Sequence, residues 1–562
     1  MRKFLVMLLI FAFSFVLIGC GGSKPEPEDP GTTPEDPGTN PEDPEEDEVV
    51  VDDYKVGEVW DSIDILYSDF DNLKYSNKDT QEEIQRIRSL YDELNDAEKE
   101  LITNYEDFVE IENLYLEYLA KVEEETLQKA KIEADVNEAV EYLKETIPSV
   151  VSDNIELPSS YIGKNGTDVY IGWTTSDPLT ISNKGVVIQP RGNVAAATLT
   201  AVCRSGSVSE QFQKPVRVAP LAFENLPATP VFAYYYTNQR ALTDLERETI
   251  DVINLSFGGI DANGNVYVTG LKTETVLQER KHGIRVTFSV QQKDGFKKWT
   301  ATAAGREKLA QSFVDTMTKY HFDGVDIDWE YPDGNEVVNY VAFMQTLYNK
   351  VKAANRNYLV TSAMYGGQGA PKYDAGTSHQ YMDYIHLMTY DLNSAELSSH
   401  LTSLGGNSYN SLTVKGTVDH YISSGVPKEK LVVGAAFYGK VYEISTSSTN
   451  FLGVRPISEP YTITYSNMKL DYLSLIGKED AKTKVERKWD AASNAPYLCI
   501  TEHNDAGEVK GKKFITYDDP ESLALKVAYV KEKGLGGIMF WELGYEQRST
   551  GDLVTAIKNA IK

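Results

Sequence analysis

Four carboxylates fall within eight residues near the middle of the 562-residue sequence, in the segment Asp323–Glu330 (DGVDIDWE). The residues between them are small, apolar or aromatic, and the segment reads as a β-strand. Because strand side chains alternate between faces with a period of two, Asp326, Asp328 and Glu330 are expected to point the same way. Like charges on one strand face reduce stability. The pattern therefore predicts that these carboxylates take part in chemistry.

A solvated edge strand and a metal-binding loop are the alternative interpretations of this segment. A calcium loop needs oxygen ligands in a flexible turn, whereas here apolar residues separate the charges. The seven histidines show no metal-ligand spacing, so neither a metal nor another cofactor is expected. His386 is expected to be a core residue or to stand behind the site.

The elements that would position the carboxylates begin at Pro227, where apolar strand-like runs alternate with helical stretches. This alternation predicts a parallel α/β fold. The eight runs are 231–236, 252–257, 285–290, 324–330, 358–364, 384–390, 431–438 and 537–542. Helices are predicted over 302–320, 337–355, 415–424 and 522–533. Eight strands with crossover helices fit a (β/α)8 TIM barrel. A doubly wound open sheet is the rival fold, but no Gly-rich nucleotide turn follows any of these strands.

Functional residues of such a barrel lie at the carboxyl ends of its strands. Glu330 ends the fourth run, Tyr390 and Asp391 end the sixth, and Trp541 and Glu542 end the eighth. The site is therefore expected where these residues meet.

The segment Asp323–Pro332 matches the DGxDxDWEYP signature, and on this match the region from Ala228 to Lys562 resembles glycoside hydrolase family 18, the family of most bacterial chitinases. Further matching segments occur in order along the chain. They are 388–391 (MTYD), 431–439 (LVVGAAFYG), 489–490 with 496–497, 517–520 with Ser522 and Lys526, and 536–542 (GGIMFWE). The resemblance implies a TIM barrel that cleaves glycosidic bonds beside a 2-acetamido sugar.

The resemblance also implies catalytic roles. Families of this kind are exceptions among retaining glycosidases, because the substrate's own acetamide oxygen attacks C1 in place of a second protein carboxylate. Glu330 would be the general acid and then the base. Asp326 and Asp328 would keep Glu330 protonated near neutral pH. Asp328 would turn from a resting contact with Asp326 to hold the acetamide N–H, and Tyr390 would bond the acetamide oxygen.

The remaining site residues follow from the same resemblance. Asp391, Met388 and Tyr438 are assigned to substrate binding, and Trp541 to the apolar floor under the reacting sugar. The supporting residues are Ser289, which would support the aspartates, and Asp323, which is expected to be structural because it lies on the opposite strand face.

Two features distinguish the chain. Residues 440–516 are too many for a simple connection after the seventh strand, and they resemble the α+β insertion that walls a deep cleft in many chitinases. The third run ends in Ser289-Val-Gln-Gln292, where the family's usual SxGG has glycines at the positions of Gln291 and Gln292. The aromatic residue that usually follows those glycines is absent, and Trp299 comes later, so the leaving-group side is expected to differ.

The predicted function is hydrolysis of β-1,4 bonds in chitin or chito-oligosaccharides. An endo-β-N-acetylglucosaminidase acting on N-glycans is the enzymatic alternative. A non-catalytic chitin-binding lectin is the alternative that is not an enzyme. The net charge is −29 and the sequence has no basic stripe, so no nucleic-acid partner is expected. The protein is expected to be a monomer.

The amino terminus is predicted to be a lipoprotein signal peptide, residues 1–19, in which a basic start precedes an apolar run. The sequence around Cys20 (LIGCGGS) resembles a lipobox, which implies lipidation of Cys20 and attachment to the outer face of a bacterial cell membrane. An ordinary secretory signal is the alternative. Residues 20–53, rich in Pro, Glu and Asp, predict an extended linker.

Two modules are predicted between the linker and the barrel, which is assigned residues 228–562. Residues 54–146 show helical periodicity and resemble FIVAR-like helical modules. Residues 147–220 alternate like strands and resemble a bacterial Ig-like β-sandwich. Cys203 and Cys499 lie in apolar surroundings and are expected to be buried thiols.

Overall fold

The structure is a computed structural model that describes residues 50–73, 77–406, 409, 412–478 and 482–562. The predicted signal peptide, Cys20 and nearly all of the linker lie outside these residues. No helix in the described part of the chain has both the length and the apolar composition needed to cross a membrane. The chain divides into two compact units, residues 1–124 and 125–562.

The first unit is helical. Its helices are α1 (Asp53–Leu73), α2 (Asn77–Asp92), α3 (Asp96–Glu100) and the first part of α4 (Tyr105–Thr146). Asn95 caps α3 by accepting a hydrogen bond from the Glu98 amide, and Glu98 returns a bond to the Asn95 amide, which is a capping box. Ile63, Ile87 and Phe108 are among the buried residues that form its core.

The second unit begins with the end of α4 and the predicted Ig-like module. The strands of this module are β1 (Val150–Val151), β2 (Ser160–Ile162), β3 (Asp168–Thr175), β4 (Ala195–Ser205) and β5 (Val208–Val218). They form one sheet in the order β1-β5-β4-β3-β2. The end of α4 packs on it through Val136, Ala139 and Leu143. Cys203 is buried in this core and Cys499 in a later sheet, both as free thiols, as predicted.

The predicted barrel is confirmed. Its strands are β6 (Val231–Tyr235), β7 (Val252–Ile260), β9 (Arg285–Val290), β10 (Gly324–Ile327), β11 (Leu359–Tyr365), β12 (Tyr384–Met388), β13 (Leu431–Ala436) and β19 (Gly537–Trp541), with the short β8 (Val266–Tyr267) paired to β7. Neighbouring barrel strands are parallel, and pairing of β6 with both β19 and β7 closes the barrel. Each strand coincides with one of the eight predicted runs.

Several strand ends differ from the prediction. Strand β12 ends at Met388, so Tyr390 and Asp391 follow it rather than end it. Strand β10 ends at Ile327, so Asp328 and Glu330 lie beyond it rather than within it. The Asp328 amide still donates to the Val290 carbonyl at 3.0 Å, but the chain then leaves the neighbouring strand. This departure places Glu330 at the rim of the barrel, where a side chain can reach a bound molecule.

Helices connect the barrel strands. They are α5 (Asp244–Arg247), α6 (Thr273–Leu277), α7 (Lys293–Thr300), α8 (Ala303–Tyr320), α9 (Glu336–Ala354), α10 (Ala375–Ser378), α11 (Val414–Ser423), α13 (Pro520–Lys533) and α14 (Asp552–Ile561), with α12 (Tyr465–Asp471) in the insertion. Thr302 and Asp519 cap α8 and α13 through side-chain bonds to backbone amides, as residue types favoured at this position do.

The predicted insertion after the seventh strand is also confirmed. It consists of β14 (Tyr438–Ile444), β15 (Tyr461–Thr464), β16 (Thr483–Asp490), β17 (Ala495–His503) and β18 (Val509–Tyr517) together with α12. The strands form an antiparallel sheet in the order β15-β14-β18-β17-β16. Because β14 begins only two residues after β13 ends, this sheet is joined directly to the rim of the barrel.

Asp323 connects the Ig-like module to the barrel. It lies at the amino end of β10, and its buried carboxylate accepts hydrogen bonds from Arg280 at 2.8 and 2.9 Å. Arg191, from the Ig-like module, donates to the same carboxylate at 3.1 Å, and the Arg191 and Asp323 side chains are 2% and 0% exposed. The charge of Asp323 is therefore matched by two guanidinium groups at the end of the strand opposite to Glu330.

Replacing Arg191 with Ala is expected to destabilise the second unit by about 3 kcal/mol, because removal of one partner from a buried ion pair leaves charge without compensation. Thermal unfolding followed by circular dichroism measures the effect. Arg217→Ala, which removes an exposed arginine from the same module, is the control. Equal melting temperatures for the two variants would contradict this account of Asp323.

Candidate active site

Asp326 occupies the deepest position among the three neighbouring carboxylates. The barrel register places Ser289 of β9 and Thr361 of β11 directly opposite it. Ser289 Oγ donates to Oδ2 at 2.7 Å, and Thr361 Oγ1 donates to Oδ1 at 2.5 Å. The Tyr234 hydroxyl donates to Oδ2 at 3.0 Å. Three hydroxyl donors thus surround a fully buried carboxylate.

Contact with His386 and the hydroxyl hydrogen bonds affect the pKa of Asp326. Burial alone would raise the pKa of its carboxyl, but contact with His386 and the hydroxyl hydrogen bonds outweigh burial and lower that pKa below its ordinary value. His386 Nδ1 lies 3.5 Å from Oδ1 of Asp326 and 3.0 Å from the Tyr234 hydroxyl. Asp326 is therefore a fixed negative charge beneath the cavity, and His386 stands behind the site, as predicted.

Asp328 has the opposite character. Its side chain is buried, and its Oδ1 has no hydrogen-bond partner among the described residues. Burial, then the negative charges of Glu330 and Asp326, raise the pKa of Asp328 well above its ordinary value, and a hydrogen bond with Glu330 contributes. The raised pKa favours the protonated form of the Asp328 carboxyl, which the hydrogen bond joins to Glu330.

The resting contact of Asp328 differs in one detail from the sequence analysis. The resting partner of Asp328 is Glu330, whereas the resemblance implied Asp326. The oxygens of Asp326 already accept hydrogen bonds from three hydroxyl groups. Asp326 therefore does not require a hydrogen bond from Asp328.

The residues that replace the expected glycines have defined positions. Gln291 Nε2 donates to Oε1 of Glu330 at 2.7 Å. Gln292 lies behind it, and its Oε1 accepts from the Ile260 amide at 2.5 Å. Trp299 packs partly buried against the core and is not among the described residues that line the cavity.

Trp541 provides an aromatic wall at the end of β19. Its ring stacks on Phe257 and Tyr236, with centroid separations of 5.5 and 5.8 Å and interplanar angles of 19° and 27°. Glu542 is fully buried and accepts hydrogen bonds from the amides of Tyr236 and Thr237 at 3.0 and 3.2 Å. Glu542 therefore fixes the loop that supports Trp541 and does not face the cavity.

Residues that follow the sixth strand, together with Tyr438 at the start of the insertion, supply the opposite side of the cavity. Burial, followed by the charges of Asp328 and Glu330, raises the pKa of Tyr390 well above its ordinary value, so its phenol remains a neutral donor. Burial and the charge of Asp391 raise the pKa of Tyr438 in the same way. Asp391 has a left-handed backbone conformation, φ 53°, and its Oδ1 lies 3.6 Å from Lys440 Nζ of the insertion.

Together these side chains line a cavity of about 380 Å³, a size suited to a small ligand or part of a longer one. The lining residues are Tyr234, Phe257, Gln291, Asp328, Glu330, Tyr331, Ala363, Tyr365, Met388, Tyr390, Asp391, Tyr438, Thr462, Trp541 and Tyr545. The cavity brings together all predicted catalytic and binding residues except Asp326, which lies beneath it. Tyr438 and Thr462 show that the insertion forms part of the wall.

Sequence reasoning missed several residues of the site. Tyr234, Thr361 and Phe257 lie on strands that were identified, but nothing in their local sequence marks them as functional. Tyr331 follows Glu330, and burial together with the charge of Glu330 raises its pKa. The alignment of neighbouring strands would have been the useful signal, since it pairs Thr361 with Asp326.

Comparison with family descriptions identifies two regions of the chain. The description "Glycosyl hydrolases family 18" matches residues 231–546, which is more than half of the chain. The description "Atrophied bacterial Ig domain" matches residues 132–221. The second match begins within α4, in agreement with the packing of that helix on the sheet.

Individual proteins are also similar to this chain. Chitinase A1 of Niallia circulans is 34% identical over 279 residues, which are 44% of this chain and 38% of that protein. Chitinase B of Serratia marcescens is 32% identical over 312 residues, which are 46% of this chain and 61% of that protein. The chain thus spans less than two thirds of each of these relatives.

Among solved structures, a family 18 N-acetylglucosaminidase from Paenibacillus barengoltzii superposes with a TM-score of 0.53 and 26% identity, covering 59% of this chain and all of that chain. Chitinase ChiW from Paenibacillus sp. FPU-7 superposes with a TM-score of 0.51 and 23% identity, covering 74% of this chain and 55% of that chain. The second likeness concerns the fold alone.

Replacing Asp328 with Asn is expected to raise the melting temperature at pH 7. Because the pKa of Asp328 is raised in the folded state, the wild type keeps its full stability below the unfolded-state pKa of about 4 and loses stability as the pH rises towards the folded-state pKa. Asparagine avoids this loss and can still donate to Glu330. The gain should therefore vanish near pH 4.

Thermal unfolding at pH 4 and pH 7 measures the difference. Asp333→Asn, at an exposed position shortly after Glu330, is the control and should show no such dependence on pH. An equal gain for Asp328→Asn at both pH values would contradict the raised pKa.

Proposed function

The chain belongs to glycosyl hydrolases family 18, and on this basis we propose that it hydrolyses β-1,4 bonds in chitin or chito-oligosaccharides with retention of configuration. The observation that carries the proposal is the placement of Glu330 and Asp328 in the lining of a cavity that has Trp541 in its wall, above the buried Asp326. A hydrogen bond joins Asp328 to Glu330. Proton donation to a glycosidic oxygen requires a carboxyl group that faces the bound substrate.

In the proposed first step one proton is transferred, one bond to C1 forms and another bond to C1 breaks. A substrate's acetamide carbonyl oxygen attacks C1, the C1–leaving oxygen bond breaks, and Glu330 gives its proton to the departing oxygen. Before this step Asp328 turns towards the acetamide and accepts a hydrogen bond from its N–H. The proton between the two carboxyl groups then lies on Glu330. Asp326 remains charged throughout, so it favours the positive oxazolinium intermediate.

The second step reverses the proton transfer. Glu330, now ionised, removes a proton from water, and the water oxygen forms a bond to C1 while the bond to the acetamide oxygen breaks. Tyr390 donates to the acetamide oxygen, and its raised pKa keeps the donor hydrogen in place. No metal or other cofactor takes part in this scheme.

Substrate contacts are assigned to the remaining lining residues. Trp541 supports the apolar face of the reacting sugar, because sugar C–H groups pack against a flat aromatic ring. Asp391 and Tyr438 contact the sugar hydroxyls and acetamide, and Met388 completes the pocket. The insertion extends this wall through Thr462, which favours binding of several sugar units.

The activity test is a digestion of chitin, chitohexaose and an N-glycosylated protein by the wild type and by Glu330→Gln. Short N-acetylglucosamine oligomers should be released from chitin and chitohexaose by the wild type. Glu330→Gln should lower kcat by at least about a hundredfold, because it removes the general acid, while chito-oligosaccharide binding measured by calorimetry is retained. Mass spectrometry identifies the products.

Other outcomes separate the alternatives. Release of N-glycans without chitin turnover would indicate an endo-β-N-acetylglucosaminidase. Binding of chitin oligomers without turnover of any substrate would indicate a lectin. Near-normal turnover by Glu330→Gln would contradict the role of this residue in every version of the proposal.

We further propose that Cys20 anchors the enzyme to the outer face of a bacterial cell membrane. The basic start, the apolar run and the LIGCGGS sequence support the proposal. The acidic, Pro-rich residues 20–53 would then separate the membrane from the helical and Ig-like modules, which are assigned a spacer role.

Cys20→Ala is expected to abolish incorporation of a palmitate analogue and to release the protein from the membrane fraction. Labelling of intact bacterial cells that express the full chain measures this result. Cys203→Ala, which removes a buried thiol, is the control. Equal labelling of wild type and Cys20→Ala would show that no lipid is attached at this residue.

A further inference from the structure

Gln291 holds the outer side of the Glu330 carboxyl. It follows β9 directly, and its exposed side chain lines the cavity. Its Nε2 donates a hydrogen bond to Glu330 Oε1 at 2.7 Å. The other partner of Glu330, Asp328, is buried on the inner side. One carboxyl group is therefore held between a buried proton donor and an exposed amide.

The backbone keeps Gln291 in this place. Strand pairing fixes Val290 opposite Ile327, and Gln292 accepts a hydrogen bond from the Ile260 amide just before α7 begins. The two glutamines thus have separate tasks, since Gln292 anchors the loop and Gln291 faces the cavity. Glycines at both positions, as in the resembling family, would provide neither contact.

We infer that Gln291 is a positioning residue for Glu330 that also contacts the first sugar of the leaving group, and so determines which leaving groups the enzyme accepts. The inference rests on the proposed function. The acid gives its proton to the leaving oxygen, so a group bonded to the exposed side of that acid stands where the leaving sugar departs. An amide offers a carbonyl acceptor and a second N–H besides the one used by Glu330, and both match sugar hydroxyls.

The test compares two substrates that share the chitobiosyl group and differ only in what leaves. Chitotriose releases a sugar, whereas 4-nitrophenyl chitobioside releases a phenol that has no sugar hydroxyls and needs little proton assistance. Gln291→Ala and Gln291→Leu should each lower kcat/KM for chitotriose about tenfold, the equivalent of one or two hydrogen bonds. The aryl substrate should change by about twofold or less. Leucine keeps the bulk of the side chain, so it separates hydrogen bonding from filling of space.

The controls make the result specific. Gln380→Ala removes an exposed glutamine at the opposite end of the barrel, before β12, and should leave both rates unchanged. An equal loss for both substrates in the Gln291 variants, or no loss for either, would overturn the inference while the proposed function stands. If the wild type cleaved neither substrate, the proposed function would fail and the inference with it.

Discussion

Repulsion among Asp326, Asp328 and Glu330 is the constraint on which the rest of the site depends. Three negative charges at one strand end would be unstable in a buried place, and the structure resolves this in two ways. Contact with His386 and hydrogen bonds from Thr361 and Ser289 outweigh burial and lower the pKa of Asp326. Burial and the charges of Glu330 and Asp326 raise the pKa of Asp328 well above its ordinary value. Neighbouring carboxyl groups thus differ in the direction in which their pKa is shifted.

The barrel provides these partners through its strand register. Ser289 and Thr361 stand opposite Asp326 because β9 and β11 pair with β10 on either side. Trp541 closes the cavity from β19 and stacks on Phe257 of β7. Rigid neighbouring strands are suited to this task, because they hold side-chain groups at fixed distances from one another.

The segment from Asp323 to Glu330 serves both ends of the barrel. At its amino end Asp323 joins Arg280 to Arg191 of the Ig-like module. At its carboxyl end Glu330 faces the cavity together with side chains of the insertion. One short stretch of chain therefore joins the Ig-like module to the cavity of the barrel, and the buried carboxylates Asp323 and Asp326 within it each have hydrogen-bond donors.

The sequence by itself determined the eight strands, the insertion and seven of the fifteen residues that line the cavity, because apolar periodicity and local motifs act over short distances along the chain. It also singled out Asp328 and Glu330, although β10 ends before both. Only the tertiary structure decided which partners surround Asp326, since its hydroxyl donors and His386 come from distant strands. It likewise decided that Gln291 reaches Glu330 and that Glu542 does not face the cavity. Those contacts join residues 39 or more than 300 positions apart, and no local pattern records them.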